Sequence, residues 1–324
     1  MARRGGWRRL GRRRFRYVDS RGRAIEDEAD LHRIHGLAIP PAWSDVWISP
    51  NPGAKLQATG VDAAGRRQYL YHSAHRERQE RAKFERLVRF GTLLPGLRAE
   101  TRRHLRLDPF DELWTSAVAV SLVNHAWFRV GSDRYARSSR TYGITTLTKR
   151  HGTVDGSEIT LCFRTKGRKL VKRKVRSAPL ARALGDLLAL PGGSRLFRYE
   201  RDGDIVNLTA AALNDYIAEN LGGGFTAKDF RTWGGTLTAA VALAEHGPSE
   251  NEAEAKGVVA SAMRKVGREL GNTPAVARAS YVSPKVIEQY YAGYTLEDFR
   301  RSRSRAHLSA DERALLALLR SRAR

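Results

Sequence analysis

Turn-forming residues punctuate the chain so densely between Phe15 and Tyr71 that only short elements fit between them. Phe15-Arg-Tyr-Val18 runs into Asp19-Ser-Arg-Gly22, and Val46-Trp-Ile48 lies between Pro40-Pro41 and Asn51-Pro-Gly53. Lys55–Thr59 and Gln68–Tyr71 are separated by Gly60 and Gly65. Strand-length runs bounded by Gly, Pro, Asn and Asp predict a small antiparallel sheet. Residues 28–36 are expected to add one short helix. After a charged stretch over 73–88, read as a helical linker, the pattern changes to helical spacing. Helices are expected near 76–91, 97–106, 111–128, 178–188, 209–220, 227–246, 252–270, 284–291 and 309–322. Three strands are expected to interrupt them: Ile144–Leu147, Glu158–Phe163 and Leu170–Val175. Turns at Gly152–Gly156 and Thr165–Lys169 would join these strands. The fold class is therefore α+β, with an N-terminal β-rich domain over 1–80 and a larger, mainly helical domain over 81–324.

Charge narrows the partner. Lys and Arg number 58 against 34 Asp and Glu, a net charge of +24 in 324 residues. An excess of this size favours a polyanion, with nucleic acid ahead of a membrane surface. Residues 1–16 hold eight Arg and no acid, so 1–14 are expected to be a disordered basic tail that tracks phosphates. No run of 18 apolar residues is present, and the basic N-terminus lacks the apolar core of a signal peptide. The single Cys162 excludes an internal disulfide. A cytoplasmic, nucleoid-associated protein without a membrane anchor is expected.

Several chemistries lack their parts. There is no G-x-x-x-x-G-K-[ST] loop, no H-E-x-x-H, no Cys/His cluster and no G-x-S-x-G elbow. Asp202-Gly-Asp204 reads as a hairpin turn rather than a carboxylate pair for a metal. Neither a cofactor nor a metal is expected. Chemistry has to come from cations and a side-chain nucleophile.

Four segments offer these. Arg129 follows an apolar helix in Trp127-Phe-Arg-Val-Gly131. Lys166 lies on the basic turn Phe163-Arg-Thr-Lys-Gly-Arg-Lys169. Lys228-Asp-Phe-Arg231 opens another helix, and Gly271-Asn272-Thr-Pro leads into Tyr281. Taken singly, each has a bland reading: a helix-end cation, a solvated lysine, a salt-bridged cap and a core tyrosine.

Their order resembles the catalytic order of the type IB topoisomerases, in the short bacterial and poxvirus-like branch. The similarity runs from about Trp7 to Phe299. It includes Ile39-Pro-Pro-Ala-Trp43, Leu56-Gln-Ala-Thr-Gly60 and Gln68-Tyr-Leu-Tyr71. The resemblance implies that Tyr281 attacks a DNA phosphate and keeps the 3′ end. It makes Arg129 and Arg231 clamps on the phosphate oxygens, Lys166 the acid for the 5′ oxygen and Asn272 a donor to a non-bridging oxygen. Poxviral members carry His at that last position, so Asn272 retains a donor but no proton exchange. Gln68, Tyr69, Tyr71, Arg134 and Tyr135 are implied to contact the duplex, with Lys228 assisting. The implied architecture is a C-shaped clamp on double-stranded DNA, acting as a monomer. The alternatives are a tyrosine recombinase or integrase, whose usual His-x-x-Arg is Lys228-Asp-Phe-Arg231 here, and a non-catalytic duplex-binding protein.

Overall fold

Alternating apolar residues build the first unit. The computed structural model describes residues 5–11, 14–300 and 306–321, and contacts divide the chain into Met1–Phe84 and Glu85–Arg324. In the first unit, β1 (Trp7–Leu10), β2 (Arg16–Val18), β3 (Ser44–Ile48), β4 (Leu56–Val61) and β5 (Arg67–Tyr71) form an antiparallel sheet in the order β2-β1-β3-β4-β5. Helix α1 (Glu28–Gly36) starts at Asp27, whose carboxylate accepts from the Asp30 N–H. Its Ile34 joins Tyr17, Val46, Ile48 and Ala58 in the core, with Trp7, Trp43 and Leu70 packed around them.

Strand β1 corrects the expectation of a disordered tail over 1–14. Trp7 pairs with Ile48, and Arg8 pairs with both Val18 and Trp47. Arg9 also has a structural use: its Nη2 donates to the Trp43 carbonyl at 2.6 Å, and its guanidinium lies 4.1 Å from the Phe15 ring centre. The rest of the expected tail, residues 1–4, 12 and 13, lies outside the described residues.

Helices dominate the second unit. Helix α2 (Ser73–His104) enters it from the first and is continuous where two helices were expected. Pro95 does not end it, because Leu87, Phe90, Leu94 and Leu97 form one buried stripe across that point. Helix α3 (Glu112–Ala126) is buried continuously from Trp114 to Val123 and forms the centre. Helix α4 (Asp133–Ser139), a single polar stretch without an apolar stripe, was not anticipated.

The three-stranded insertion is present with one element displaced. Its strands are β6 (Gly152–Asp155), β7 (Glu158–Arg164) and β8 (Leu170–Arg176) in sequential antiparallel order. Ile144–Thr146, expected to be the first strand, is a 3-10 turn. Thr146 Oγ1 accepts from the Gly143 N–H at 2.9 Å and closes the turn, overriding the β-branched preference. The first strand instead occupies the stretch that its two glycines had marked as a turn. The β7–β8 turn does fall at 165–169, with Arg164 paired to Leu170 and Gly167 at φ 76°.

Helix α5 (Ala178–Ala189) follows. Then β9 (Arg198–Arg201) and β10 (Asp204–Asn207) form the hairpin expected from Asp202-Gly203, both at positive φ. Helices α6 (Ala210–Leu221), α7 (Ala227–His246), α8 (Glu252–Leu270), α9 (Pro274–Tyr281), α10 (Pro284–Tyr291) and α11 (Ala310–Arg320) complete the unit. Among the described residues, no helix is long and apolar enough to cross a membrane.

Candidate active site

Helix α7 is the spine of the site. It begins with a capping box in which the Asp229 carboxylate accepts from the Thr226 N–H at 2.8 Å. One turn later Arg231 points inward, with only 5% of its surface exposed. Its Nη1 donates to the Trp127 carbonyl at 2.7 Å and its Nη2 to the Leu270 carbonyl at 2.8 Å. One arginine thus ties together the ends of α3 and α8. Burial lowers its pKa to about 10; the Arg129 charge acts in the same direction, and the Tyr281 phenol partly opposes both.

The end of α3 aims Arg129. Trp127 closes the helix in the left-handed conformation, φ 53°, which is uncommon for a bulky residue and is held only by strong surroundings. Those surroundings include Gly234 on α7. A Cβ there would lie 2.2–2.4 Å from the Trp127 indole. Two residues further on, Arg129 Nη2 donates to Asn272 Oδ1 at 2.5 Å, while its carbonyl accepts from the Ile144 N–H at 2.8 Å.

Asn272 lies on the turn between α8 and α9. Gly271, at φ 64°, ends α8, and the Asn272 N–H folds back to the Gly267 carbonyl at 2.8 Å. Because Arg129 occupies its side-chain oxygen, the amide nitrogen is the free end. Asn272 Nδ2, Arg129 Nε and Arg231 Nε are all buried without a protein acceptor. A buried donor left unpaired costs about 1–3 kcal/mol. Other arginine Nε atoms of the chain share this state, but here the donors come from three elements, the two arginines act on one tyrosine and Asn272 is bonded to one of them.

That tyrosine, Tyr281, ends α9 and is 8% exposed. The Arg231 guanidinium lies 5.0 Å from its ring centre. Gly235 lets the backbone come close, since a Cβ there would be 2.7 Å from the Tyr281 carbonyl. Thr236 Oγ1 donates to the same carbonyl at 3.2 Å and accepts from the Ser283 N–H at 3.1 Å. Burial raises the pKa of the phenol, but Arg231 and then Arg129 outweigh it, so the net shift is downward. Two guanidinium groups therefore make this phenol easier to ionise than a free one.

The structure brings Arg129, Arg231, Asn272 and Tyr281 together. Lys166 is exposed on the β7–β8 turn, and it is Lys169 of that turn whose Nζ reaches the Asn272 carbonyl, at 3.3 Å. Lys228 is exposed in the first turn of α7. Arg134 and Tyr135 are exposed on α4. In the first unit, Tyr69 and Tyr71 project from one face of β5 as a stacked pair with ring centres 6.4 Å apart. Gln68 falls on the other face by strand alternation, and its amide donates to Asp62 at 2.8 Å. Sequence reading missed Trp127, Gly234, Gly235, Thr236 and Lys169. The Gly234-Gly235 pair inside a strong helical pattern was the one available signal, because such glycines mark close packing.

A mainly helical unit with a three-stranded insertion thus holds two arginines near a buried tyrosine, with an amide bonded to one of them. A family described as eukaryotic DNA topoisomerase I, catalytic core, matches residues 72–306. One described as bacterial DNA topoisomerase IB, N-terminal domain, matches residues 14–62. The DNA topoisomerase 1B of Acanthamoeba polyphaga mimivirus is 34% identical over 269 residues, covering 81% of this chain and 80% of that protein. The DNA topoisomerase 1B of Vaccinia virus (strain Copenhagen) is 22% identical over 270 residues, covering 81% and 82%. The chain belongs to the type IB DNA topoisomerase family, in its short bacterial and poxvirus-like branch, and is an isomerase.

Proposed function

We propose that this chain relaxes supercoiled duplex DNA by cutting and rejoining one strand, without ATP or a metal. The Tyr281 phenol gives up its proton to water and its oxygen attacks a backbone phosphorus. The bond to the 5′ oxygen breaks, Lys166 supplies the proton that the departing oxygen takes, and the phosphate becomes an ester of Tyr281 at the 3′ end. Arg129 and Arg231 hold the non-bridging oxygens as charge builds on them, and the Asn272 amide donates a third hydrogen bond. The freed 5′ end rotates, then attacks the phosphotyrosyl ester and restores the strand. One phosphate diester replaces another throughout, so no outside energy source is needed.

The observation that supports this reading most strongly is the set of buried, unpartnered donors on Arg129, Arg231 and Asn272 around a tyrosine with a lowered pKa. Such donors fit an anionic acceptor. Arg134, Tyr135, Tyr69 and Tyr71 are exposed as DNA-contacting groups must be, with Lys228 assisting. Gln68 is proposed as a weaker contact, because its amide is already engaged by Asp62. All the groups of the site come from one chain, so a monomer suffices.

The test is relaxation of negatively supercoiled plasmid in EDTA without ATP, with Tyr281→Phe alongside. Wild-type relaxation with an inactive variant is expected. Absence of relaxation, with both proteins binding DNA equally, would reject the reading in favour of a binding protein or a recombinase.

A further inference from the structure

An open cleft of about 660 Å3 lies between the first turns of α3, the β9–β10 hairpin and α6. The chain's own Arg201 shows what its wall accepts. Arg201 Nη2 donates to the Glu112 carboxylate at 2.8 Å and to the Tyr199 hydroxyl at 2.6 Å, and the guanidinium lies 5.2 Å from the Tyr199 ring centre. A cation is thus held between a carboxylate and an aromatic ring. Helix α6 carries two further carboxylates, Asp215 and Glu219, both exposed and both lining the cleft. They stand one helical turn apart and repel each other. The chain has 58 Lys and Arg, yet none of the described ones reaches either carboxylate.

Ser116 adds an independent observation. It lines the cleft from α3 and is only 1% exposed, and among the described residues its hydroxyl has no hydrogen-bond partner. Buried hydroxyls are ordinarily paired. A serine inside a helix usually falls back on the carbonyl one turn earlier, and this one does not. Its oxygen is left to a donor entering from the cleft. Beside it, Leu113 (41% exposed) and Val206 supply an apolar wall.

We infer that this cleft docks a lysine- or arginine-bearing segment of a partner protein. Asp215 and Glu219 take its cationic heads and Ser116 accepts a hydrogen bond from one of them. Leu113 and Val206 cover the apolar stems of those side chains and their neighbours. Nucleic acid does not fit, because the carboxylates repel its phosphates. A single metal ion does not fit either, since among the described residues no group of three His, Cys, Asp or Glu side chains converges as a metal requires. The cleft opens at the start of α3, whose 15 residues separate it from Trp127. At 1.5 Å per residue that is roughly 20 Å, so a docked segment leaves the tyrosine site open.

The probe is a short synthetic peptide in which lysine and leucine alternate, titrated calorimetrically into the full chain without DNA. Asp215→Asn/Glu219→Gln removes the free carboxylates of the cleft, and Leu113→Ser removes part of its apolar wall while keeping every charge. The control, Glu26→Gln/Glu28→Gln, removes the same charge from exposed positions in the first unit. Wild type and control are expected to bind alike, and the Asp215/Glu219 variant to bind roughly tenfold more weakly. Leu113→Ser should also be weaker, and a peptide with glutamine for every lysine should not bind. No binding to the wild type overturns the site, as does equal binding to wild type and the Asp215/Glu219 variant, or an equal loss in the control. Loss through the carboxylates with no effect of Leu113→Ser, and with spermidine displacing the peptide, would mean a site for a small polyamine and would overturn protein docking. Plasmid relaxation by the cleft variants should keep the parental rate, so the peptide titration stands or falls independently of the strand-cutting reading.

Discussion

The Arg231 guanidinium and the Trp127 carbonyl are joined by a 2.7 Å hydrogen bond, and this links the two arginines of the site. Trp127 sits two residues before Arg129, and its indole rests where Gly234 has no side chain. The position of Arg129 is therefore set from α7, the helix that carries Arg231. A Cβ at Gly234 would displace the indole and disturb both arginines. Gly234→Ala gains up to ~1 kcal/mol of helix propensity, but overpacking costs about 1–3 kcal/mol. A small net destabilisation is expected in denaturant titrations. Relaxation should fall far more, on the order of 100-fold, because catalysis is sensitive to ångström displacements. A variant that is both stable and fully active would remove Gly234 from this role.

The Asn272 amide offers a sharper test, since its two ends have different tasks. Asn272→Asp keeps the oxygen that Arg129 engages at 2.5 Å and replaces the unpartnered nitrogen with a second oxygen. Folding should change little. Cleavage should slow by about 10²–10³, the usual loss when a donor to developing charge is removed. Single-turnover cleavage of a short duplex measures this directly, and an unchanged rate would show that no donor is needed there.

Tyr281 should ionise below the ordinary phenol value of about 10. Burial alone would push it up; Arg231 and then Arg129 reverse that effect. An ultraviolet difference titration of wild type against Tyr281→Phe isolates this phenol. Replacing Arg129 with Ala should move its midpoint upward. The linkage sign follows: a folded-state pKa below the unfolded one means that this group contributes stability once pH exceeds the unfolded value, and that contribution is lost as pH falls through the folded pKa. A midpoint unaffected by Arg129→Ala would contradict the arrangement.

How much of this was legible in the sequence depended on the kind of signal. Strands β2 to β5 were readable because turn residues bracket them, and α7 and α8 because their apolar spacing is regular. Trp7–Leu10 was obscured by its arginines, since a strand that uses Arg9 to brace Trp43 looks like a solvated tail. The gap expected between helices near 76–91 and 97–106 is absent, because the buried stripe through Leu94 and Leu97 carries the helix past Pro95. The separate faces of Gln68 and Tyr69 follow from alternation alone, yet a matched motif treats adjacent residues as one group. Of the site, Arg129, Lys166, Arg231, Asn272 and Tyr281 were visible as a sequence order. Trp127, Gly234 and Gly235 were not, because their work is done by a carbonyl and by missing side chains.

Stability should depend on a carboxylate outside the segment shared with the matched catalytic core, which ends at residue 306. Glu312 of α11 accepts from Arg98 at 2.7 and 2.8 Å, from Trp233 Nε1 at 3.2 Å and from the Ser309 N–H at 2.9 Å. Glu312→Ala strands the partly buried Arg98 cation and should cost about 3–5 kcal/mol. Burial pushes the Glu312 pKa up, but the Arg98 bonds outweigh it and the net shift is downward. Its contribution is therefore present above the ordinary carboxylate range, near pH ~4, and is lost as pH falls through the lower folded value. Glu312→Gln should flatten that part of the acid-unfolding curve. An unchanged curve would mean that other carboxylates govern acid stability.

Lys166 and Lys169 share one turn and should fail in different ways. Lys169 contacts the Asn272 carbonyl at 3.3 Å, so its loss disturbs the donor to the phosphate whatever group departs. Lys166 is proposed to protonate the departing 5′ oxygen. Lys166→Ala should therefore lose about 10²–10⁴ in cleavage of an ordinary strand, the usual contribution of a positioned acid. A substrate with sulfur in place of that bridging oxygen leaves without protonation, and on it Lys166→Ala should approach the wild-type rate. Lys169→Ala should be slowed equally on both substrates. If Lys166→Ala were equally slow on both, Lys166 would be a binding group, and the proton would have to come from another donor at the turn or from water.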